Sequence, residues 1–274
     1  MTRTAFATKL ATRAVAKPWG RNVLPAPFIN PGSDPIGEIW FEAATGAALP
    51  LMVKYLFTSE KLSIQVHPND KQARAAGLDG GKEECWLVLD AEPGATLGIG
   101  TRHPLTPDAL HSVALSGEIE ALIDWKPVSR GDFFYIPAGT IHAIGAGVSL
   151  IEIQQNADIT YRLYDYGRPR ELHLDAGIAV AQAVPYTHPL QRHIDFSADQ
   201  MLVDGPLFRV RLTGDADATL PGNGALIIVP MQGQVTVRMP DAALTVTPGE
   251  CLAIDADTPF ETSEGARLLL ARAC

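Results

Sequence analysis

Short β-type runs separated by turn residues recur along this chain, and that rhythm restricts its fold more than any other feature. LMVKYLF (51–57), LSIQVH (62–67), CWLVLD (85–90), ATLGIG (95–100), DFFYIP (132–137), VSLIEIQQ (148–155) and ITYRLYDY (159–166) follow one another. After a lapse from about 173 to 200, read as a connector, FRVRLTG, GALIIVPMQGQVTVRM, AALTVTPGECLAIDADTPFET and ARLLLARAC resume the pattern. The turns draw on 24 Gly and 21 Pro. Helical patterning is confined to DKQARAAG (70–77), ended by Gly77, and to a segment at about 104–126. There Thr106 caps a helix with Pro107 in its first turn, and Gly117 separates it from a second. Strands that outnumber helices in this way predict an all-β sandwich or barrel architecture with a small helical insertion.

The phrase SRGDFFYIPAGTIHA (129–143) is echoed by TPGECLAIDADTPFE (247–261), each with Gly, an acid, a short strand and a turn. This predicts two β-barrel units, residues 1–190 and 191–274. In the second copy Thr258-Pro259-Phe260 stands where the first bears a histidine, so the second unit is read as structural.

A net charge of −9 argues against general nucleic-acid or anionic-membrane binding. No apolar run reaches the ~18 residues of a membrane span. Cys85, Cys251 and Cys274 form no Cys-x-x-Cys pair, which suits a reducing cytoplasm. Residues 1–33 carry no acid and resemble a transit peptide in composition. The strand-like AVAKPWG that follows favours a segment lying on the body of the fold.

In SIQVHPND, Gln65 and His67 stand two apart and share the strand face that Ile64 and Val66 do not occupy. In GGKEECWLVL, Glu84 shares a face with Trp86 and Val88, where a carboxylate is costly unless paired or metal-bound. In GDFFYIPAGTIHAI, Gly131 opens a strand, Pro137 and Gly139 turn it, and His142 begins the return. Gly-x5-Pro-x-Gly-x2-His resembles the second motif of the cupin family. Gln65 and His67 alone fit a hydrogen-bonded core pair. With Glu84 and His142 added, two imidazoles, a carboxylate and an amide suit one divalent cation, Zn²⁺ above others.

IQVHPND, GKEECW, IPAGTIHAIG and ITYRLYDYGR, in that order, resemble type I mannose-6-phosphate isomerase in its short bacterial form, a cupin-superfamily enzyme. KPWG at 17–20 resembles that family's N-terminal element, and the likeness covers roughly residues 16–175. The resemblance implies an aldose–ketose isomerase acting on mannose 6-phosphate and fructose 6-phosphate. It implies one Zn²⁺ per chain on Gln65, His67, Glu84 and His142, and Arg162, Lys82, Glu152 and Asp158 as catalytic residues. Ser63 matches a phosphate-contacting hydroxyl. Arg168 and Arg170, with Lys61 and Lys71, are further phosphate candidates, for which a solvated basic face is the alternative. Which of Lys82, Glu152 and Asp158 moves the proton stays open.

The chain also departs from that family. Gly81 stands where longer members carry a histidine, their extra helical domain is missing, and YGRPRELH is compressed. A non-catalytic sugar-phosphate-binding cupin and an Fe²⁺ dioxygenase are the rival readings. The partner expected is a small sugar phosphate, bound by a monomer or homodimer. His103, His111, His173, His188 and His193 are read as ordinary surface or core residues.

Overall fold

Residues 6–43, 49–240, 242–255 and 257–274 are described by the computed structural model. Residues 1–5 of the acid-free N-terminal segment, and Ala256 in the second copy of the repeated phrase, lie outside the described residues.

Among the described residues, four antiparallel sheets are stacked face to face, with helices covering one end. A seven-stranded sheet runs in the order Arg192–His193, Asp132–Ile136, Glu84–Ala91, Val148–Gln155, Leu51–Phe57, Ile36–Glu42 and Ala11–Arg21. One face meets a five-stranded sheet of Tyr161–Tyr164, Ile64–Val66, His142–Ile144, Thr96–Thr101 and Ile123–Pro127. Its other face packs on a six-stranded sheet that includes Asn223–Gln232, Leu252–Ile254 and Arg267–Ala273. A three-stranded sheet containing Val235–Met239 and Ala242–Val246 closes the far side. The all-β architecture with a small helical insertion is the one expected, and each barrel-type unit takes the form of two facing sheets.

Strand alternation assigns each core. Cys85, Leu87, Ile151, Ile153, Val53 and Tyr55 point to the inter-unit core, where Val210, Ile227, Val229 and Leu269 meet them. Their neighbours Trp86, Val88, Leu150 and Leu56 point the other way, toward Leu97, Ile99 and Ile144 of the five-stranded sheet. Ile64 and Val66 face outward onto Leu110, Ala114 and Ile119, so helices bury the back of the small sheet. A sheet buried on both faces reads as nearly continuous apolar sequence, as these runs do.

Local signals explain the element ends. Thr106 Oγ1 accepts the Ala109 N–H at 3.2 Å, Pro107 begins Pro107–Ser116, and Gly117 ends it at φ 84°. The second helix, Ile119–Leu122, gives way at Ile123 to a strand that the sequence pattern had assigned to helix. The supposed connector contains one helix, Leu174–Val180. Gly177 weakens its propensity, and a Cβ there would lie 2.7 Å from Leu163 Cδ2, so any larger residue would have to displace that buried leucine methyl.

The chain crosses the expected boundary at 190 in both directions. Arg192–His193 pairs with Asp132–Phe133 in the large sheet, while Ala7–Lys9 pairs with Leu252–Ile254 of the second unit.

Candidate metal centre and active-site cavity

Two cross-strand rows face each other inside the first unit. On the small sheet, Gln65 stands opposite Arg162 on one neighbour and His142 on the other, and His142 is opposite Ile99. On the large sheet the row runs Trp40, Lys54, Glu152, Trp86 and Phe134. Glu84 lies in the next row, paired with Gln154 and Ile136. Alternation thus turns every one of these side chains toward the space between the sheets.

His67, Glu84 and His142 converge there, fully buried, with one potential ligand atom from each within 4.8 Å of the others. The Glu84 carboxylate lies 3.6 Å from His67 Nε2 and 3.5 Å from His142 Nε2. His67 Nδ1 sits 2.7 Å from the Ile159 carbonyl and His142 Nδ1 2.9 Å from that of Thr140. A carbonyl only accepts, so both Nδ1 atoms carry the proton and both Nε2 lone pairs face the carboxylate. Burial lowers both imidazole pKa values, that of His142 to about 4, so they are neutral.

Three of these buried atoms, His67 Nε2 and both Glu84 oxygens, make no hydrogen bond among the described residues. Burying the His67 lone pair, and a Glu84 carboxylate that the Lys82 ammonium meets from one side at 2.9 Å, is costly, and a cation between the imidazoles and the carboxylate would remove the cost. The donor set fits Zn²⁺, and the backbone carbonyls orient both imidazoles for it. Gln65 adjoins the triad with Nε2 3.3 Å from His142 Nε2, while Ser63 Oγ donates to its Oε1 at 3.3 Å. A half-turn of the amide presents the oxygen to the triad instead.

Beside the triad lies a cavity of about 350 Å³, lined by Ser63, Gln65, Lys82, Trp86, Glu152, Asp158, Arg162 and Arg170 among others. Lys82 Nζ contacts Glu84 Oε2 at 2.9 Å, without the alignment of a hydrogen bond, and reaches Glu152 Oε1 at 4.0 Å. Lys54 Nζ is 3.4 Å from the same Glu152 oxygen, and Trp86 Nε1 donates to the other at 3.0 Å. Burial opposes the charge of Glu152, but Lys82 and Lys54 outweigh it and hold the carboxyl well below its usual range. Glu84 moves the opposite way, raised by burial and by the negative Glu152. Burial and the like charge of Lys82 pull the Lys54 pKa down. Against burial, Glu84 and Glu152 keep Lys82 protonated.

Alternation applied to LMVKYLF picks out Lys54, whose inward face the sequence reading passed over. Glu38, Trp40 and Lys17 complete that wall. Trp40 Nε1 donates to Glu38 Oε2 at 2.5 Å, Lys17 lies 3.4 Å from Glu38, and Lys54 sits 4.4 Å over the Trp40 ring. His173, read as ordinary, also lines the cavity and accepts the Arg162 N–H through Nδ1 at 3.2 Å.

Asp158 stands exposed at the rim. Arg162 spends one donor on the Glu171 carbonyl at 2.8 Å. Arg168 is outside the lining: it holds Asp165 at 3.1 Å, Glu60 at 2.9 Å and the Lys61 carbonyl at 2.8 Å. Arg170 grips the same buried Asp165 with two hydrogen bonds of 2.6 and 2.7 Å, yet still borders the cavity. Lys61 is drawn away to Glu120 at 2.6 Å, and Lys71 does not line the cavity.

Facing β-sheets that enclose a His–Glu–His centre beside a polar cavity define a cupin-type metalloprotein. A mannose-6-phosphate isomerase of Streptococcus mutans is 34% identical over 220 residues, covering 74% of this chain and 68% of the relative. On that match, the chain belongs to the mannose-6-phosphate isomerase family. Mannose-6-phosphate isomerase ManA of Bacillus subtilis is 39% identical over 168 residues, 56% of this chain, and the match spans about half (53%) of that relative's length. A crystal structure of the Bacillus subtilis mannose 6-phosphate isomerase superposes with a TM-score of 0.78 at 25% identity, covering 98% of this chain and all of that one. No family model matches the chain.

Proposed function

We propose that this protein interconverts D-mannose 6-phosphate and D-fructose 6-phosphate through an enediol, with one Zn²⁺ per chain. The observation that carries this reading is the buried triad, its ligand atoms converging on one point, joined through Gln65 and Lys82 to a polar cavity of sugar size. Family membership and the names of the relatives support the substrate.

His67, Glu84 and His142 would hold the metal, with Gln65 as a fourth ligand after its amide turns. When bound, the ion supplies Lewis-acid charge for the sugar's O1 and O2. Arg162, projecting from the same row as Gln65, offers a permanently charged fork of donors to the oxyanion that forms as C–H is broken. Proton movement between C1 and C2 falls to the buried Lys82–Glu152–Lys54 set. Its two ammonium groups share one carboxylate, and the depressed pKa of Lys54 eases proton release. Asp158 at the rim contacts the open-chain sugar. Ser63 and Arg170 are the phosphate donors that border the cavity, and Arg168 acts by fixing Asp165.

A monomer or a homodimer is the assembly this reading takes. Three unpaired cysteines accord with a reducing cytoplasm. Among the described residues no helix is long and apolar enough to cross a membrane.

The test is conversion of mannose 6-phosphate before chelation, after it, and after Zn²⁺ is returned, with oxygen uptake followed in parallel. Activity that disappears and returns supports the reading. Saturable sugar-phosphate binding without turnover would make the chain a binding protein, and oxygen consumption would make it a dioxygenase.

A further inference from the structure

A second cavity, also about 350 Å³, opens on the opposite side of the large sheet, between the two units. It shares no lining residue with the sugar-phosphate cavity. Its wall is aromatic: Phe28 lies 4.8 Å from the Tyr55 ring and 5.3 Å from that of Phe57, and Phe196 contributes a fourth ring. Two buried polar groups of the lining, the Ser149 hydroxyl and the Arg267 Nε–H, have no hydrogen-bond partner among the described residues. Ser149 is only 2% exposed. Each terminal nitrogen of Arg267 donates once, to Asp199 at 2.7 Å and to the Ala198 carbonyl at 2.6 Å.

Charge at this cavity favours an anion. Arg130 and Arg267 line it beside the exposed carboxylate of Asp90; Arg267 is already paired with Asp199 outside the lining, so Arg130 carries the uncommitted positive charge. Arg130 donates to the Leu89 carbonyl at 3.1 Å, lies 4.5 Å over the Phe196 ring, and forms no ion pair among the described residues. Two unsatisfied donors and an unpaired guanidinium call for an acceptor with negative charge, while four rings call for a flat apolar body.

We propose that this inter-unit cavity binds an aromatic monocarboxylate. Its carboxylate accepts from Ser149 Oγ and Arg267 Nε, with Arg130 supplying charge, and its ring packs among Phe28, Tyr55 and Phe57. The site sits back to back with the sugar-phosphate cavity: Ser149 and Glu152 belong to one strand and point to opposite faces.

Calorimetric titration of the metal-loaded full chain with 3-phenylpropionate, and with the uncharged 3-phenylpropanol, tests this. Saturable binding of the acid is expected, with the alcohol at least about tenfold weaker, as for loss of a charged hydrogen bond. Ser149→Ala and Arg130→Gln should each weaken the acid by about tenfold while leaving the melting temperature of the free protein nearly unchanged. Mannose 6-phosphate should not compete. Equal binding of acid and alcohol, wild-type affinity in both variants, displacement by mannose 6-phosphate, or no binding at millimolar acid would each overturn the proposal.

Discussion

The two units begin from the same turn and end with opposite interiors. Ser129 and Thr247 donate their N–H to Asp132 and Glu250 at 2.8 and 2.9 Å, and Gly131 and Gly249 both take positive φ, at 95° and 90°. Further along, Thr140 N–H donates to the Pro137 carbonyl as Thr258 N–H does to that of Asp255, at 3.1 and 2.9 Å. At the same offset, Phe260 occupies the position of His142. The first unit encloses Lys54, Lys82, Glu84 and Glu152 between its sheets. The second fills the equivalent space with Leu226, Ile228, Val235, Val237, Leu252, Ile254 and Leu268, against which Phe260 packs. One backbone frame therefore supports a charged interior or a dry one. The difference lies in inward-facing side chains, not in the turns.

The largest contrast is expected at the equivalent pair. His142→Ala should release the metal and lower turnover by more than ~100-fold, since loss of a ligand exceeds the cost of losing its outer partners; metal analysis beside the activity assay checks it. Phe260→His should recruit no second metal and should lower stability by about 1 kcal/mol or less, since Phe260 is half-buried against that core and a polar group there keeps part of its hydration. Chemical denaturation and metal stoichiometry read both effects.

Core truncation in the second unit sharpens the comparison from the other side. Leu270→Ala should cost about 2–5 kcal/mol in stability while turnover per folded molecule stays unchanged. Arg162→Ala should do the reverse, retaining metal and stability while turnover falls ~10²-fold as a transition-state donor is lost. Lys54→Met belongs with Arg162→Ala, at ~10²-fold or more for a proton-transfer group. If Lys54→Met retains full turnover, the row built on Glu152 plays no part in proton movement.

The smallest effect lies at the surface of the second unit. Asp199 accepts from the Thr213 hydroxyl, the Arg267 guanidinium and the Gly214 N–H, which together hold its pKa at about 2, below the ordinary 3.8. A depressed carboxylate contributes stability above its unfolded pKa and loses it as pH falls through the folded value. Asp199→Asn should therefore lose a little stability near neutral pH and flatten the acid dependence between 3.8 and about 2. Partial exposure keeps the effect small, and melting curves across that range would show it.

Legibility in the sequence followed the reach of alternation. Gln65, His67 and Glu84 could be read as inward-facing from period 2, and His142 from the Pro137–Gly139 turn that precedes it. The same rule reaches Lys54 in LMVKYLF, where the charge sits among apolar residues of a strand correctly bounded at 51–57. Glu38 and Trp40 were hidden because Ile36–Glu42 was not read as a strand at all. Leu174–Val180 escaped notice because it is short, lacks a side-chain cap and contains Gly177. The stacking of the two units on a shared sheet was invisible for a different reason. Ile151 and Ile153 look alike whether they face a sister sheet or an adjacent unit. The loss of Lys61 from the cavity depended on Glu120, a distant acid that no local pattern connects to it, and that of Arg168 on Glu60 as well as on Asp165 three residues before it.

The central claim is that one divalent ion sits where the two inward rows meet. Anomalous diffraction at the zinc edge, from crystals of the metal-loaded protein, tests it most directly. A single peak is expected, bonded to Nε2 of His67 and of His142 and to the Glu84 carboxylate, with the Gln65 amide oxygen turned toward it. A peak elsewhere, or either imidazole rotated out of contact with the ion, would contradict the account.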